Sequence, residues 1–97
     1  MRIPIQSTLD LGLALRAVRR QSRVRIDDLA GTAGVSKQFT QDVEHGKSTV
    51  QFGRVLKLLA ELGIPLELNI PDEAAPVLAT LRTSGHTTTP PPSKRRA

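Results

Sequence analysis

Apolar residues recur at helical spacing along the first two-thirds of the chain and then switch, once, to strict alternation. Leu11, Ala14, Leu15 and Val18 follow i, i+3, i+4, i+7, which predicts an amphipathic helix over residues 8–22. Ser7 reads as its N-cap, with Asp10 three residues on as a carboxylate version of the capping box. Arg16, Arg19, Arg20 and Arg23 lie on the opposite face, and those in the last turns complement the helix dipole. A second, shorter helix is predicted over residues 27–33, with two acids in its first turn, Leu29, Ala30 and Ala33 on its apolar side, and Gly34 as its stop. Ser36 caps a third helix, Lys37–Glu44, which Gly46 closes. Ser48 or Thr49 caps a fourth over about residues 50–62, closed by Gly63, with Phe52, Val55, Leu56, Leu59 and Leu62 as its buried stripe.

The period then changes from helical to two. In Ile64-Pro65-Leu66-Glu67-Leu68-Asn69-Ile70 the four apolar residues share one face, which predicts a strand over 64–70. A single strand is not stable alone, and Ile64, Leu66, Leu68 and Ile70 facing water are an aggregation hazard. Two pairing partners are open: Ile3-Pro4-Ile5 of the same chain, or the same strand of a second subunit in an antiparallel ribbon. The second is favoured, because Pro4 lacks an N–H and a domain this small gains needed burial by dimerising. After Ile70 the composition shifts: residues 72–97 carry four of the seven prolines, a Thr87-Thr88-Thr89-Pro90-Pro91-Pro92 tract and a basic Lys94-Arg95-Arg96 terminus. Residues 71–97 are therefore predicted to be a mostly disordered Pro/Thr-rich tail, with a helical turn or two at 73–82 around Val77, Leu78 and Leu81. Residues 1–70 form the folded domain.

Composition narrows the function classes. The 97 residues make one domain with a formal charge of +5 and a sequence pI near 10.8. With no Cys and two His, at 45 and 86, neither a disulfide framework nor a zinc centre is expected, and no cofactor is implied. Two aromatics, Phe39 and Phe52, are too few for a base-stacking platform, so a nucleic-acid partner should be duplex. Apolar runs such as Leu58-Leu59-Ala60 are far below the roughly 20 residues of a membrane span, and a cytoplasmic location is expected. Residues 1–70 carry 10 Lys+Arg against 7 Asp+Glu and the remainder 4 against 2, so charge matters here by placement. Asp27 and Asp28 do not make a catalytic pair, since adjacent helical residues point about 100° apart and acids in a first turn are ordinary dipole partners. His45 and His86 have no triad partners, and enzyme activity is not expected.

Between Val24 and Gly46, two short helices are joined by Ala33-Gly34-Val35-Ser36, a turn with Gly where positive φ is needed and a cap directly after it. This is helix-turn-helix spacing. Asp28-Leu29-Ala30, Gly34-Val35-Ser36, Val43-Glu44-His45-Gly46-Lys47 and the block Phe52 to Gly63 resemble the Cro and lambda-repressor (Xre) family, and within it the HipB-like antitoxins. The resemblance covers about residues 7–70. It implies an all-α, lambda-repressor-like domain of four to five helices, with the C-terminal strand pairing across a dimer. It makes the third helix the recognition helix, with Lys37, Gln38, Gln41 and Asp42 as base readers. Ser36, Lys47 and Arg25 would meet phosphates, and Arg19 and Glu44 would form a structural salt bridge.

The chain departs from the family pattern in three places. Arg25-Ile26 replaces the usual Thr-Gln, so a phosphate-gripping amide is missing and Arg25 substitutes as a point charge. Thr40 stands where a buried Ile or Leu is usual, and Arg23 where Gly often ends the first helix. The function implied is a homodimeric repressor of a palindromic DNA operator, the antitoxin of a HipA-type kinase toxin, autoregulating its operon. Two other readings stay open: an interaction module that neutralises a toxin without binding DNA, and an Xre-type regulator with no toxin partner.

Overall fold

A computed structural model describes residues 1–84. It contains five α-helices: α1 (Thr8–Gln21), α2 (Ile26–Ala33), α3 (Lys37–Glu44), α4 (Phe52–Glu61) and α5 (Ala75–Thr83), the last entered through a single 3-10 turn at Asp72–Ala74. The chain divides into two units, Met1–Leu66 and the residues from Glu67 on. In the first unit α1 packs on α3, and α2 packs on both α3 and α4. Leu15, Leu29, Ala33, Val43, Val55, Leu58 and Leu59 form its core. Removing these side chains from water supplies the main stabilisation, on the order of 1.5–3 kcal/mol for each large aliphatic residue.

The helix starts follow local chemistry. Ser7 Oγ accepts from the Asp10 N–H at 3.1 Å, while the Asp10 carboxylate accepts from the Gln6 N–H at 2.9 Å, one residue before the cap. Ser36 Oγ accepts from the Phe39 N–H at 2.9 Å. The fourth helix differs from expectation: it starts at Phe52 behind Gln51, which makes no side-chain cap, so neither Ser48 nor Thr49 performs that role.

All four helices of the first unit end in the same device. A residue just past each helix takes a left-handed conformation, at Arg23 (φ 59°), Gly34 (72°), Gly46 (81°) and Gly63 (70°). The next residue's N–H then reaches back five positions: Val24 to Arg19, Val35 to Ala30, Lys47 to Asp42 and Ile64 to Leu59, at 2.9–3.0 Å. These are Schellman closures. Val24, Val35 and Ile64 pack against the core, so each closure anchors the chain as well as ending a helix. Arg23 alone is not glycine, and the left-handed conformation costs an L-residue about 1–2 kcal/mol. Arg23→Gly should therefore raise stability by about 0.5–1 kcal/mol, after the extra unfolded-state entropy of glycine is subtracted. Thermal unfolding by circular dichroism checks this; an unchanged or lower Tm would show that the Arg23 side chain contributes more than its backbone costs.

Two further expectations are corrected. The buried stripe of α4 is Val55, Leu58 and Leu59, whereas Phe52 and Leu56 are 58% and 41% exposed. Apolar residues cover more than one side of this helix, so periodicity alone does not choose its inward face. The fold is all-α as expected, but the predicted strand over 64–70 is absent: no β-strand occurs among the described residues. A strand is a paired object, and here neither Ile3-Pro4-Ile5 nor any other described segment supplies a ladder, while Pro65 cannot donate. Ile64 instead packs on its own core, and Leu66, Leu68 and Ile70 are exposed.

In the second unit, α5 occupies the segment where only a turn or two was predicted. Pro76 sits in its first turn, where a missing N–H costs nothing. His86, the Thr-Pro tract and Lys94-Arg95-Arg96 lie outside the described residues.

Candidate nucleic-acid interface

The α2–turn–α3 unit presents one polar face. Gly34 turns the chain, Ser36 caps α3, and Thr40, Val43 and Glu44 are the buried residues of that helix. Lys37 and Gln38 are exposed near its start, and Gln41 and Asp42 are half-buried a turn further on. Thr40 is fully buried, with its hydroxyl donating to the Ser36 carbonyl at 3.0 Å. That bond satisfies the only polar atom of the side chain, so Thr40 takes an inward position that an aliphatic residue would otherwise fill.

The sequence-predicted residues fall into two linked groups. Asp27 lies between Lys37 (Nζ to Oδ1, 3.3 Å) and Arg25 (Nη2 to Oδ2, 3.7 Å). Asp42 lies between Gln38, whose Nε2 donates to Oδ1 at 2.9 Å, and Lys47, whose Nζ is 3.6 Å from Oδ2. The ion pairs are solvent-exposed at the cations and hold the side chains loosely, contributing little to stability. Arg25, Lys37 and Lys47 thus flank α3 with solvent-exposed positive charge, suited to phosphate. Gln41 makes no side-chain hydrogen bond among those found in the described residues. Ile26 begins α2 and is half-buried.

Behind this face, Glu44 pins α3 to α1. Arg19 meets its carboxylate with both Nε (2.5 Å) and Nη2 (3.0 Å), and donates a third bond through Nη1 to the Val24 carbonyl at 3.1 Å. Glu44 is 3% exposed, and the Arg19 side chain 13%. The hydrogen bond with Glu44 raises the Arg19 pKa above its ordinary value, desolvation opposes the rise, and the Glu44 charge adds to it. Arg16 joins from the same helix, with Nη2 3.4 Å from the Glu44 carbonyl and Nε 3.9 Å from its carboxylate. This contact of Arg16 is not evident from sequence, where it reads as a solvated residue on the polar side of α1.

Gly12 is a second residue that pattern reading passes over. It is buried where α1 crosses the end of α3, and a Cβ there would lie 2.3 Å from the Val43 carbonyl oxygen. The available signal is the glycine itself, since Gly inside a helical pattern commonly marks close backbone approach. Thr8, whose hydroxyl donates to the Gly46 carbonyl at 2.6 Å, ties the start of α1 to the loop that carries Lys47.

A short helix, capped and polar outward, seated through its inner side on two others behind a glycine turn, defines the helix-turn-helix class of DNA-binding regulators. Comparison with known proteins agrees. The family described as "Helix-turn-helix domain" matches residues 10–68, and the chain belongs to that family. It is 42% identical over 69 residues to the uncharacterized HTH-type transcriptional regulator y4mF of Sinorhizobium fredii, covering 71% of this chain and 91% of that one. Its fold is also that of a chain in a HipA-HipB-O2-O3 complex (TM-score 0.67, 21% identity, 73% of this chain and all of that one). A HipB-O4 20mer complex is similar to the same extent of chain, with a TM-score of 0.66. Among the described residues, no helix is long and apolar enough to cross a membrane.

Proposed function

We propose that this chain is a dimeric, sequence-specific repressor that acts as the antitoxin of a HipA-type kinase toxin and represses its own operon. The observation that carries the DNA-reading part is the outward face of α3: Lys37, Gln38, Gln41 and Asp42 follow a capped helix start, with Arg25 and Lys47 on either side. Lys37 and the Gln residues have the donors and acceptors that distinguish base pairs in the major groove. Ser36, Arg25 and Lys47 serve as phosphate contacts. The antitoxin part is supported by the likeness in fold to chains in a HipB-O4 20mer complex and in a HipA-HipB-O2-O3 complex. A homodimer is supported by the exposed apolar side chains Phe52, Leu56 and Leu66 of the first unit, and would set two recognition helices about 34–36 Å apart on a palindrome.

Binding to duplexes selected from a random pool, at about 50 and 200 mM salt, tests the reading. Lys37→Ala and Gln38→Ala are each expected to weaken the selected duplex by about 1–3 kcal/mol and to relax base preference. Lys47→Ala is expected to weaken all sequences alike and flatten the salt dependence. A chain that neutralises a toxin without touching DNA would show no steep salt dependence, and failure to co-purify with a kinase-fold partner would leave a regulator without a toxin.

A further inference from the structure

Asp42 lies on the outward face of α3, yet both of its carboxylate oxygens already have partners within the chain. Oδ1 accepts from Gln38 Nε2 at 2.9 Å, and Oδ2 faces Lys47 Nζ at 3.6 Å. The Schellman closure reinforces the second contact, because the Lys47 N–H donates to the Asp42 carbonyl at 2.9 Å and so fixes the two residues side by side. An ionised carboxylate only accepts, so chemistry alone decides that the NH2 end of the Gln38 amide turns toward it. The opposite orientation would set Gln38 Oε1 against a carboxylate oxygen. With one amide hydrogen held by Asp42, Gln38 keeps Oε1 as an acceptor and one N–H as a donor. That pair matches the N6 donor and N7 acceptor of adenine.

We infer that Asp42 is a positioning residue: it holds the Gln38 amide in the orientation that reads adenine, while Lys47 neutralises its charge so that it can enter an anionic groove, and it does not itself read cytosine. The inference rests on the reading of α3 as the helix that enters duplex DNA. Asp42 is 27% exposed at its side chain and packs outside the core, so its replacement leaves the fold intact.

The test uses the full chain, its selected duplex, and every single-base-pair variant of that duplex at one salt concentration. Asp42→Ala is expected to reduce discrimination about two- to tenfold, at the same base pair that Gln38→Ala relaxes. In the Gln38→Ala background, adding Asp42→Ala should change nothing further at that base pair, and Asp42→Glu alone, which keeps a carboxylate four residues on, should restore much of the preference. If Asp42→Ala relaxes a different base pair, Asp42 is a reader and the inference is overturned. Unchanged preferences at all positions overturn it equally, with the DNA-reading role of α3 intact. A wild-type chain that binds all duplexes alike would instead remove the reading of α3, and the inference with it.

Discussion

Arg19→Ala is expected to destabilise the first unit by about 3–5 kcal/mol, the cost of leaving a buried charge without its partner. Glu44 would retain only the distant Arg16 Nε at 3.9 Å, and the Val24 carbonyl would lose its guanidinium donor. Domains of this size have total stabilities of roughly 5–15 kcal/mol, so the loss would be a large fraction of the whole. Urea unfolding should show a clear fall in midpoint with little change in slope. The control is Arg19→Met combined with Glu44→Leu. Because burying an ion pair is itself costly, replacing both partners by apolar groups should recover most of the loss. A double variant no more stable than Arg19→Ala would mean that the arginine acts mainly through the Val24 carbonyl, and the ion-pair account would be wrong.

A single methyl group at Gly12 should have the next largest effect. Ala is the better helix former by about 1 kcal/mol, so helix propensity alone predicts that Gly12→Ala stabilises α1. The packing predicts the reverse: the added Cβ meets the Val43 oxygen at 2.3 Å, the Glu44 oxygen at 2.7 Å and the Glu44 carbonyl carbon at 2.9 Å. These are backbone atoms at the end of a helix that is also held by Arg19, so they cannot swing aside as a side-chain tip would. Separating α1 from α3 should cost about 1–3 kcal/mol net, as overpacking typically does. Gly31 is the matched control, since it lies within α2 and a Cβ there meets nothing within 4 Å. Gly31→Ala should stabilise by about 0.5–1 kcal/mol, and opposite signs at the two sites in parallel melts would separate packing from propensity.

The α1–α3 crossing also matters for the candidate interface. It orients α3 through Glu44, and α3 carries Lys37, Gln38, Gln41 and Asp42 on its outward side. Loss of either Arg19 or the close approach at Gly12 is therefore transmitted to the face proposed to read DNA, although neither residue lies on it.

Much of this is legible in local chemistry. The caps at Ser7 and Ser36, the stops at Gly34, Gly46 and Gly63, and the bounds Lys37–Glu44 follow from hydrogen bonds and backbone angles that involve only near neighbours in the chain. The exposed polar residues at the start of α3 are legible for the same reason, because a capped amphipathic turn declares which side faces out. The left-handed turn at Arg23 is legible only as an oddity, a non-glycine where the geometry favours glycine.

The remainder depends on what meets what across the fold. Whether alternating Ile64, Leu66, Leu68 and Ile70 become a strand depends on a hydrogen-bonding partner, and the alternation carries no information about one; within the described chain Ile64 turns to the core of its own unit. The inward face of α4 is chosen by α2, since Phe52 and Leu56 are as apolar as the residues that win burial. Gly12 and Arg16 acquire their roles from carbonyls and a carboxylate about 30 residues away. Near neighbours in the chain are enough for α1, α2 and α3, for the glycine stops and for the polar surface of α3, because those features form within a few residues. The strand's absence, the start and inward face of α4 and the α1–α3 contact are settled by packing across the fold, because burial and hydrogen-bond pairing belong to two surfaces at once.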